Sequence, residues 1–220
     1  MDYFSYNSLF SSYAKILSIL YPEKSKRNRV RLIDIGCQHG TYSFDFARMG
    51  FNVTGLEVRD CNYNVCIKNM SKHAGNNISF IKDDCWNIQK YGTFDIIFCS
   101  GLLYHLDRPI EYLKILSDVC DKLLILNTHF VLKDKVGKHY TGDIVINEGV
   151  YGRWFEEVTS NSQAAWSNDK SFWVVKEDLI GSLRKVGFDT VLEQFDGYDK
   201  QYLHEEYTKE QRSTFIGIKI

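Results

Sequence analysis

The sequence predicts an α/β fold, a three-layer sandwich in which a mostly parallel seven-stranded sheet lies between two layers of helices. Over residues 30–130, short apolar runs typical of buried strands alternate with segments whose apolar residues recur at helical spacing. Strands that are joined through helices pair in parallel, so helices are expected on both faces of the sheet. Two strand-like runs close the chain with no helix between them, which favours one antiparallel strand.

The elements follow in order along the chain. An N-terminal helix is expected over residues 8–20, and a charged linker follows it to residue 29. The first five strands are expected at residues 30–35, 52–57, 78–84, 94–102 and 122–130. The helices between them are expected at residues 41–50, 60–73 and 108–120, and the last elements are a helix at 173–188 and strands at 189–196 and 212–220. Pro109 lies in the first turn of the third of these helices, and Asp107 is expected to cap it.

Composition places few limits on function but excludes some classes. The 220 residues fit a single domain, and 27 basic against 28 acidic side chains give a net charge of −1, which weighs against a nucleic-acid-binding surface. The six cysteines show neither Cys-x-x-Cys pairs nor zinc-ligand spacing, so reduced core thiols in a cytoplasmic protein are expected. We find no signal-peptide pattern, no run of about 18 apolar residues that would span a membrane, and no grouped metal ligands.

Acidic residues close successive strands of the predicted sheet. Asp34 and Gly36 lie where the first strand turns into its helix, and Glu57 closes the second strand. Ligands of open parallel sheets bind beyond the carboxyl ends of the strands. Glycine lets the backbone approach a ligand closely, and a carboxylate at the second strand suits the paired hydroxyls of a ribose. A nucleoside-containing ligand is therefore expected.

Two classes of ligand fit this pattern, a dinucleotide and S-adenosylmethionine. The dinucleotide fingerprint needs Gly-x-Gly-x-x-Gly, but this chain has Gly36, Gln38 and Gly40 in the corresponding loop. A carboxylate at Asp34 would repel phosphates but help to hold an ammonium group. A nucleoside that carries an amino acid therefore fits better than a pyrophosphate.

Four segments, in this order and spacing, resemble the class I S-adenosylmethionine-dependent methyltransferases. They are LIDIGCQHGTYS, VTGLEV, ISFIKDDCWNI and FDIIFCSGLLYHLDRP, and the resemblance runs from about residue 30 to the C-terminus. It implies the seven-stranded Rossmann-like fold and S-adenosylmethionine as the cofactor. Gln38 departs from the pattern, since many members of the family have glycine at this position.

The resemblance also implies which residues contact the cofactor. Its methionine part would lie against the first loop and the end of the fourth strand, its ribose on Glu57, and its adenine near Asp84 and the Cys85 backbone. The full implied set is Asp34, Gly36, Cys37, Gly40, Glu57, Asp84, Cys85, Ser100 and Gly101. Each acid taken alone also fits a structural role, as a turn cap or a solvated strand end.

Catalytic candidates lie at the ends of the fourth and fifth strands. They are Tyr104 and His105 in LLYHLDRP, and His129 in LNTHF. An O-methyltransferase often needs a general base, and histidine changes charge near neutral pH. The alternative for each histidine is a packed side chain that bonds to the backbone. We favour His105 slightly, because Tyr104 beside it could orient the acceptor.

Residues 131–173 form a long segment without a predicted helix or strand before Trp173, and it is rich in aromatic side chains such as Trp154 and Trp166. Long loops are often functional, so a lid over a small-molecule acceptor is expected, with a satellite apolar core as the alternative. A sugar hydroxyl is the preferred acceptor. An RNA substrate is the alternative, since LLYHLDRP also resembles a motif of tRNA wobble-uridine enzymes, and an inactive regulatory protein is a third. The oligomeric state is left open.

Overall fold

The computed structural model describes residues 8–73, 75–133, 142–158, 164–194 and 211–220. The strands are β1 (Arg31–Ile35), β2 (Asn52–Glu57), β3 (Ile78–Lys82), β4 (Phe94–Ser100), β5 (Cys120–His129), β6 (Val145–Asn147), β7 (Val150–Glu156), β8 (Lys170–Val174), β9 (Thr190–Gln194) and β10 (Arg212–Ile218). The helices are α1 (Ser8–Leu20), α2 (Thr41–Arg48), α3 (Asp60–Met70), α4 (Pro109–Val119) and α5 (Lys176–Lys185). Short 3₁₀ helices cover Lys24–Arg29, Cys85–Tyr91 and Leu103–His105.

The main sheet has seven strands in the order β3-β2-β1-β4-β5-β10-β9. Strands β1 to β5 pair in parallel, and β10 lies antiparallel between β5 and β9. The predicted α/β fold with one antiparallel strand is therefore confirmed. The chain leaves β1 toward β2 on one side and returns to β4 on the other. This change of direction opens a crevice at the carboxyl end of β1, where ligands of such sheets bind.

Alternate side chains of β1 enter two different apolar cores. Ile33 packs with α4 and α5 on one face of the sheet, together with residues such as Tyr112 and Leu183. Leu32 packs with α1 and α2 on the other face, together with residues such as Phe46. Successive residues of a strand point to opposite faces, so one buried strand supplies both cores. This arrangement produces the three layers.

A second, antiparallel sheet of order β6-β7-β8 occupies much of the segment that was expected to be irregular. That expectation was wrong, and so was the start of the helix predicted at residues 173–188, because Trp173 belongs to β8 and α5 begins at Lys176. Phe172 and Val174 from β8 enter the same core as α4. The strands β6 and β8 are short, and β7 pairs with β8 across residues 157–169, so local patterns reveal them poorly. Parts of residues 131–173 lie outside the described residues.

The cysteines are free, and most of them are buried. Among the cysteines, Cys61 is exposed and Cys85 is half-buried, while the other four are buried, and all six are free thiols. Within the described ranges, no helix is long and apolar enough to cross a membrane.

Helix α4 is capped by a residue from the turn between β6 and β7. The two carboxylate oxygens of Glu148 accept hydrogen bonds from the backbone N–H groups of Ile110 and Glu111, at 2.9 and 2.7 Å. The expected cap by the Asp107 side chain is wrong, because the helix has no cap from its own flanking side chains. Asp107 instead accepts a hydrogen bond on its backbone oxygen from Asn147. The turn thus joins the second sheet to the main domain.

We predict that Glu148→Ala lowers the free energy of unfolding by about 0.5–2 kcal/mol, because it removes a carboxylate from two orphan N–H groups at a helix N-terminus. Urea unfolding monitored by circular dichroism measures this change. Glu156→Ala is the matched control, since Glu156 is an exposed residue of β7 whose ion pair to Lys170 lies at the surface. Equal losses in the two variants would contradict the capping role.

Candidate active site

The loop after β1 contains three residues in left-handed backbone conformations. Gly36, Gln38 and Gly40 have φ angles of 69°, 50° and 77°. Only Gln38 carries a side chain, and an L-residue in this region costs roughly 1–2 kcal/mol. Two contacts hold it there: its N–H donates to Glu57 Oε2 at 2.9 Å, and the Cys66 thiol donates to its backbone oxygen at 3.0 Å. The loop therefore keeps its shape without the family's glycine.

Gly40 has a packing role in addition to its backbone conformation. A Cβ built on Gly40 would lie 2.9 Å from Cζ of Phe80 and 3.2 Å from the Cys66 sulfur. Real Cβ atoms do not come so close to a ring, so glycine at this position lets α2 begin against β3. Gly40 therefore supports the loop by packing against Phe80 and Cys66 and does not line the cleft.

Glu57 closes β2 with a buried carboxylate that is only 4% exposed. Its Oε2 accepts from the Gln38 N–H at 2.9 Å, and its Oε1 accepts from the Arg59 N–H at 2.8 Å. The alternative of a solvated strand end is therefore wrong for this residue. Each carboxylate oxygen has two lone pairs, so both retain the capacity to accept from a ligand hydroxyl.

The acids after β3 have different tasks. Asp84 Oδ1 accepts from the Trp86 N–H at 3.0 Å and begins the 3₁₀ helix there. Asp83 accepts hydrogen bonds from the Tyr91 hydroxyl and the Asn87 amide, and these bonds lower the pKa of Asp83 to about 2. Asp84 thus caps the 3₁₀ helix and also lines the cleft, so a structural role and a binding role are compatible for this acid.

Asp34 lies beneath the loop, 3% exposed, with its Oδ2 accepting from the Ser43 hydroxyl at 2.5 Å. Burial is the main cause that raises the pKa of Asp34 from 3.8 to about 7; the negative charge of Glu57 adds to the rise, and the Ser43 hydrogen bonds oppose it. A positively charged ligand group beside this carboxylate would favour its ionised form.

Two connected compartments form the cleft at the carboxyl ends of β1, β2 and β4. The first is lined by Leu56, Glu57, Val58, Arg59, Asn62, Asp83, Asp84, Cys85, Trp86, Leu102, Leu106 and residues 164–168. The second is lined by Leu9, Asp34, Cys37, His39, Thr41, Tyr42, Phe98, Ser100, Tyr104 and Arg212. Both compartments share Gly36, Gln38, Gly101 and His105. The structure thus brings together the sequence-predicted residues except Gly40, which packs behind the loop, and His129.

His105 lies where the two compartments meet, and its ring is held by the second sheet. Its Nδ1 is 2.9 Å from Glu157 Oε1, and Asn168 donates to its backbone oxygen at 2.8 Å. Burial raises the pKa of Glu157, but hydrogen bonds from His105 and the Ala165 N–H outweigh burial and leave that pKa below its usual value. No local sequence pattern indicated Glu157, which is 52 residues away from His105.

His129 packs against Tyr104, and the Tyr104 ring also contacts His105. The Tyr104 ring packs edge-on against His129 with centroids 4.5 Å apart, and the Trp173 ring stacks on His129 with centroids also 4.5 Å apart. Tyr104 therefore separates His129 from His105, whose ring centroid is 4.2 Å from that of Tyr104. Burial raises the pKa of Tyr104, while the charge of Arg212 lowers it.

Arg59 connects the cleft to the insertion, which is the segment 131–173 that contributes β6, β7 and most of β8. Its Nη2 donates to the backbone oxygens of Ala164 and Ala165 at 2.9 and 3.3 Å, and its guanidinium lies 5.1 Å from the centre of the Trp166 ring. Residues 164–168 therefore form one wall of the first compartment. Nothing in the local sequence indicated this role for Arg59.

Within the described residues, no group of three or more histidine, cysteine or acidic side chains is arranged to hold a metal ion.

We predict that stability falls as pH rises from about 4 to about 7, by roughly a few kcal/mol, through Asp34. The sign follows from the raised pKa: the folded chain binds this proton more tightly than the unfolded chain, so deprotonation costs the folded state. Asp34→Asn should flatten this part of the profile and unfold at higher urea than the native chain at about pH 8. Urea unfolding across this pH range is the measurement.

The exposed Asp169 supplies the matched control, and Asp169→Asn should leave the profile unchanged. A profile for Asp34→Asn with the same slope as the native chain would contradict the buried-charge interpretation.

Comparison with known proteins gives the family. A family model described as a methyltransferase domain matches residues 26–208. The ubiquinone biosynthesis O-methyltransferase of Shewanella pealeana is 29% identical over 91 residues, which cover 40% of this chain and 38% of that protein. The tRNA U34 carboxymethyltransferase of Campylobacter jejuni is 29% identical over 119 residues, 52% of this chain and 40% of that protein. The chain spans about two fifths of the length of these curated relatives.

Solved structures share the fold. The N-terminal domain of EvdMO1 with bound SAH aligns with a TM-score of 0.75 at 22% identity, covering 99% of this chain and 83% of that one. The same domain crystallised in the presence of SAH and D-fucose also aligns with a TM-score of 0.75 at 22% identity, covering 98% of this chain and 85% of that one. Magnesium protoporphyrin IX methyltransferase of Synechocystis PCC 6803 with bound SAM aligns with a TM-score of 0.61 at 13% identity, covering 100% of this chain and 85% of that one. With its seven-stranded sheet and a family match over most of its length, this chain belongs to the class I S-adenosylmethionine-dependent methyltransferases.

Proposed function

We propose that this protein is an O-methyltransferase that transfers the methyl group of S-adenosylmethionine to a hydroxyl of a small acceptor, with a sugar as the preferred class. The observation that carries the proposal is the position of His105, which borders both compartments and whose Nδ1 lies 2.9 Å from the partly buried carboxylate of Glu157. A base at such a junction suits the transfer of a group from one compartment to the other.

The residues of the cleft fit the cofactor. Glu57 can accept hydrogen bonds from ribose hydroxyls, while Trp86 and Leu102 offer apolar surface to the adenine near Asp84. The buried Asp34 carboxylate has a raised pKa, as expected of an acid that a cationic group would stabilise. When bound, the sulfonium supplies an electrophilic methyl group.

The Glu157 contact determines which nitrogen of His105 can act. A carboxylate accepts a hydrogen bond, so Nδ1 carries the proton and Nε2 keeps a lone pair. That nitrogen can take the proton of an acceptor hydroxyl as the oxygen attacks the methyl group. Glu157 orients the ring and stabilises the imidazolium that forms. His129 is the weaker candidate, since the Tyr104 ring lies between it and His105.

A small acceptor is supported by the way the insertion encloses the cleft. Residues 164–168 wall the first compartment, and Tyr42 and Tyr104 present rings to the second. Aromatic faces with a few polar groups suit sugars. A fold neighbour was crystallised in the presence of SAH and D-fucose, which agrees with this choice. We propose that the insertion is a lid that covers the acceptor.

An RNA acceptor is the second candidate, favoured by the similarity to a tRNA U34 carboxymethyltransferase. The net charge of −1 weighs against it, because RNA binding draws mainly on basic side chains. Incubation with methyl-labelled S-adenosylmethionine separates the two. We expect label in sugars or glycosides such as deoxyhexosides. Label in tRNA alone, with binding that falls steeply as salt rises, would overturn the sugar proposal.

We predict that Glu57→Ala weakens the binding of S-adenosylmethionine by at least about tenfold, since it removes a charge-assisted hydrogen bond and the support of the Gln38 loop. Isothermal calorimetry is the measurement. Glu156→Ala is the control, because that carboxylate is exposed on β7. Native-like affinity in Glu57→Ala would contradict the role of this acid.

We predict that His105→Ala lowers kcat by roughly a hundredfold or more, while affinity for S-adenosylmethionine stays nearly unchanged. His129→Ala should retain most of its activity. Initial rates with the labelled cofactor measure both effects.

His73→Ala is the matched control, because His73 lies beside Phe44 in a surface groove formed with α2 and α3. Full activity in His105→Ala on the true acceptor would show that proximity and alignment alone account for catalysis.

A further inference from the structure

Arg212, the first residue of β10, has a fixed side chain in the second compartment. Its Nε donates to Asn127 Oδ1 at 2.6 Å, and the fully buried Asn127 is itself held by a hydrogen bond to Thr214 at 2.9 Å. The guanidinium lies 5.5 Å from the centre of the Tyr104 ring. A Cβ built on Gly101 would be 3.3 Å from Nη2, so this end of the guanidinium lies directly over the Gly101 backbone.

The charge of Arg212 is not neutralised by an acid in the part of the chain that the structure describes. Other arginines do have carboxylate partners, as Arg48 pairs with Asp45 and Arg108 pairs with Glu111. Among the residues that the structure describes, Arg212 makes one hydrogen bond, from its Nε to the neutral amide of Asn127. Its charge acts on Tyr104, whose pKa it lowers against the effect of burial.

An oriented guanidinium of this kind is a receptor for an oxyanion. With Nε bonded, the two terminal nitrogens can donate in parallel to two oxygens of one carboxylate or phosphate group. The orientation by Asn127 and Tyr104 lowers the entropic cost of that contact. Gly101 leaves space beneath Nη2, and His39, Thr41 and Tyr42 line the same compartment.

We propose that Arg212 binds an oxyanion, a carboxylate or a phosphate, that the methyl acceptor carries. The proposal rests on the function proposed above and narrows the acceptor to an anionic small molecule such as a sugar acid or sugar phosphate. Arg212 and His105 both contact Tyr104, so an acceptor anchored on the guanidinium places its neighbouring hydroxyl toward the His105 imidazole. Arg212 is thus a determinant of acceptor specificity.

The carboxylate of the cofactor is the other source of an oxyanion near this site. Asp34 and Gly36 lie in the same compartment, so the amino-acid end of the cofactor is close. The test must therefore compare SAH, which has this carboxylate, with 5′-deoxy-5′-methylthioadenosine, which lacks it.

Inorganic phosphate is the probe, titrated into isotope-labelled protein that is saturated with either nucleoside, with the Gly101 backbone amide followed by NMR. We expect the Gly101 signal to shift along a saturable curve in both complexes, while the amide of Gly187 at the end of α5 does not. Arg212→Lys keeps the charge but loses the planar pair of donors, so the phosphate concentration at half-saturation should rise by about tenfold. Arg48→Lys should leave the curve unchanged.

Each alternative outcome overturns the proposal. Saturation only in the methylthioadenosine complex would mean that the cofactor carboxylate occupies Arg212. A linear, unsaturated shift in both complexes would mean that no oxyanion site exists. The readout requires no turnover, so a failure of the general-base proposal for His105 would leave this result unaffected.

Discussion

The Glu57 carboxylate is the contact on which the rest of the cleft depends. One oxygen accepts from Gln38 and fixes the left-handed loop after β1, and the other accepts from Arg59 and fixes the chain after β2. Neighbouring parallel strands bring these two N–H groups to one edge of the sheet. A buried carboxylate needs such partners, because an unpaired charge away from water is very costly. The same bonds that stabilise the acid therefore shape the site around it.

From Arg59 the arrangement extends into the insertion. The Arg59 side chain holds the backbone of Ala164 and Ala165, and the Ala165 N–H donates to Glu157, which in turn bonds to His105. A chain of four hydrogen-bonded residues thus joins the strand end that faces the first compartment to the proposed base. Because the members share partners, their energetic effects should not be additive. Order in the insertion and the orientation of the imidazole are physically linked.

The sequence was sufficient for the parts of this fold that local patterns encode. Buried parallel strands read as apolar runs, so β1 to β5 and the acids at their ends were found correctly. The strands β6 to β8 were missed, because β6 and β8 are short and β7 pairs with β8 across residues 157–169, which separate the two strands. Glu148 and Glu157 were missed for the same reason. Each acts across tens of residues on a helix end or a ring that the chain meets only after folding.

The cleft is lined by both acidic and basic side chains, and these charges constrain what it can hold. Asp34 and Glu57 are buried acids at the loop after β1, whereas the guanidinium of Arg212 lies over Gly101 in the second compartment. Burial disfavours the ionised form of Asp34, so the chain retains a charge that costs folding stability. Such a charge is stabilised by a cationic ligand beside it, as a sulfonium with an ammonium group provides. An anionic acceptor beside Arg212 would complete the balance, because each ligand would then meet the charge that it complements.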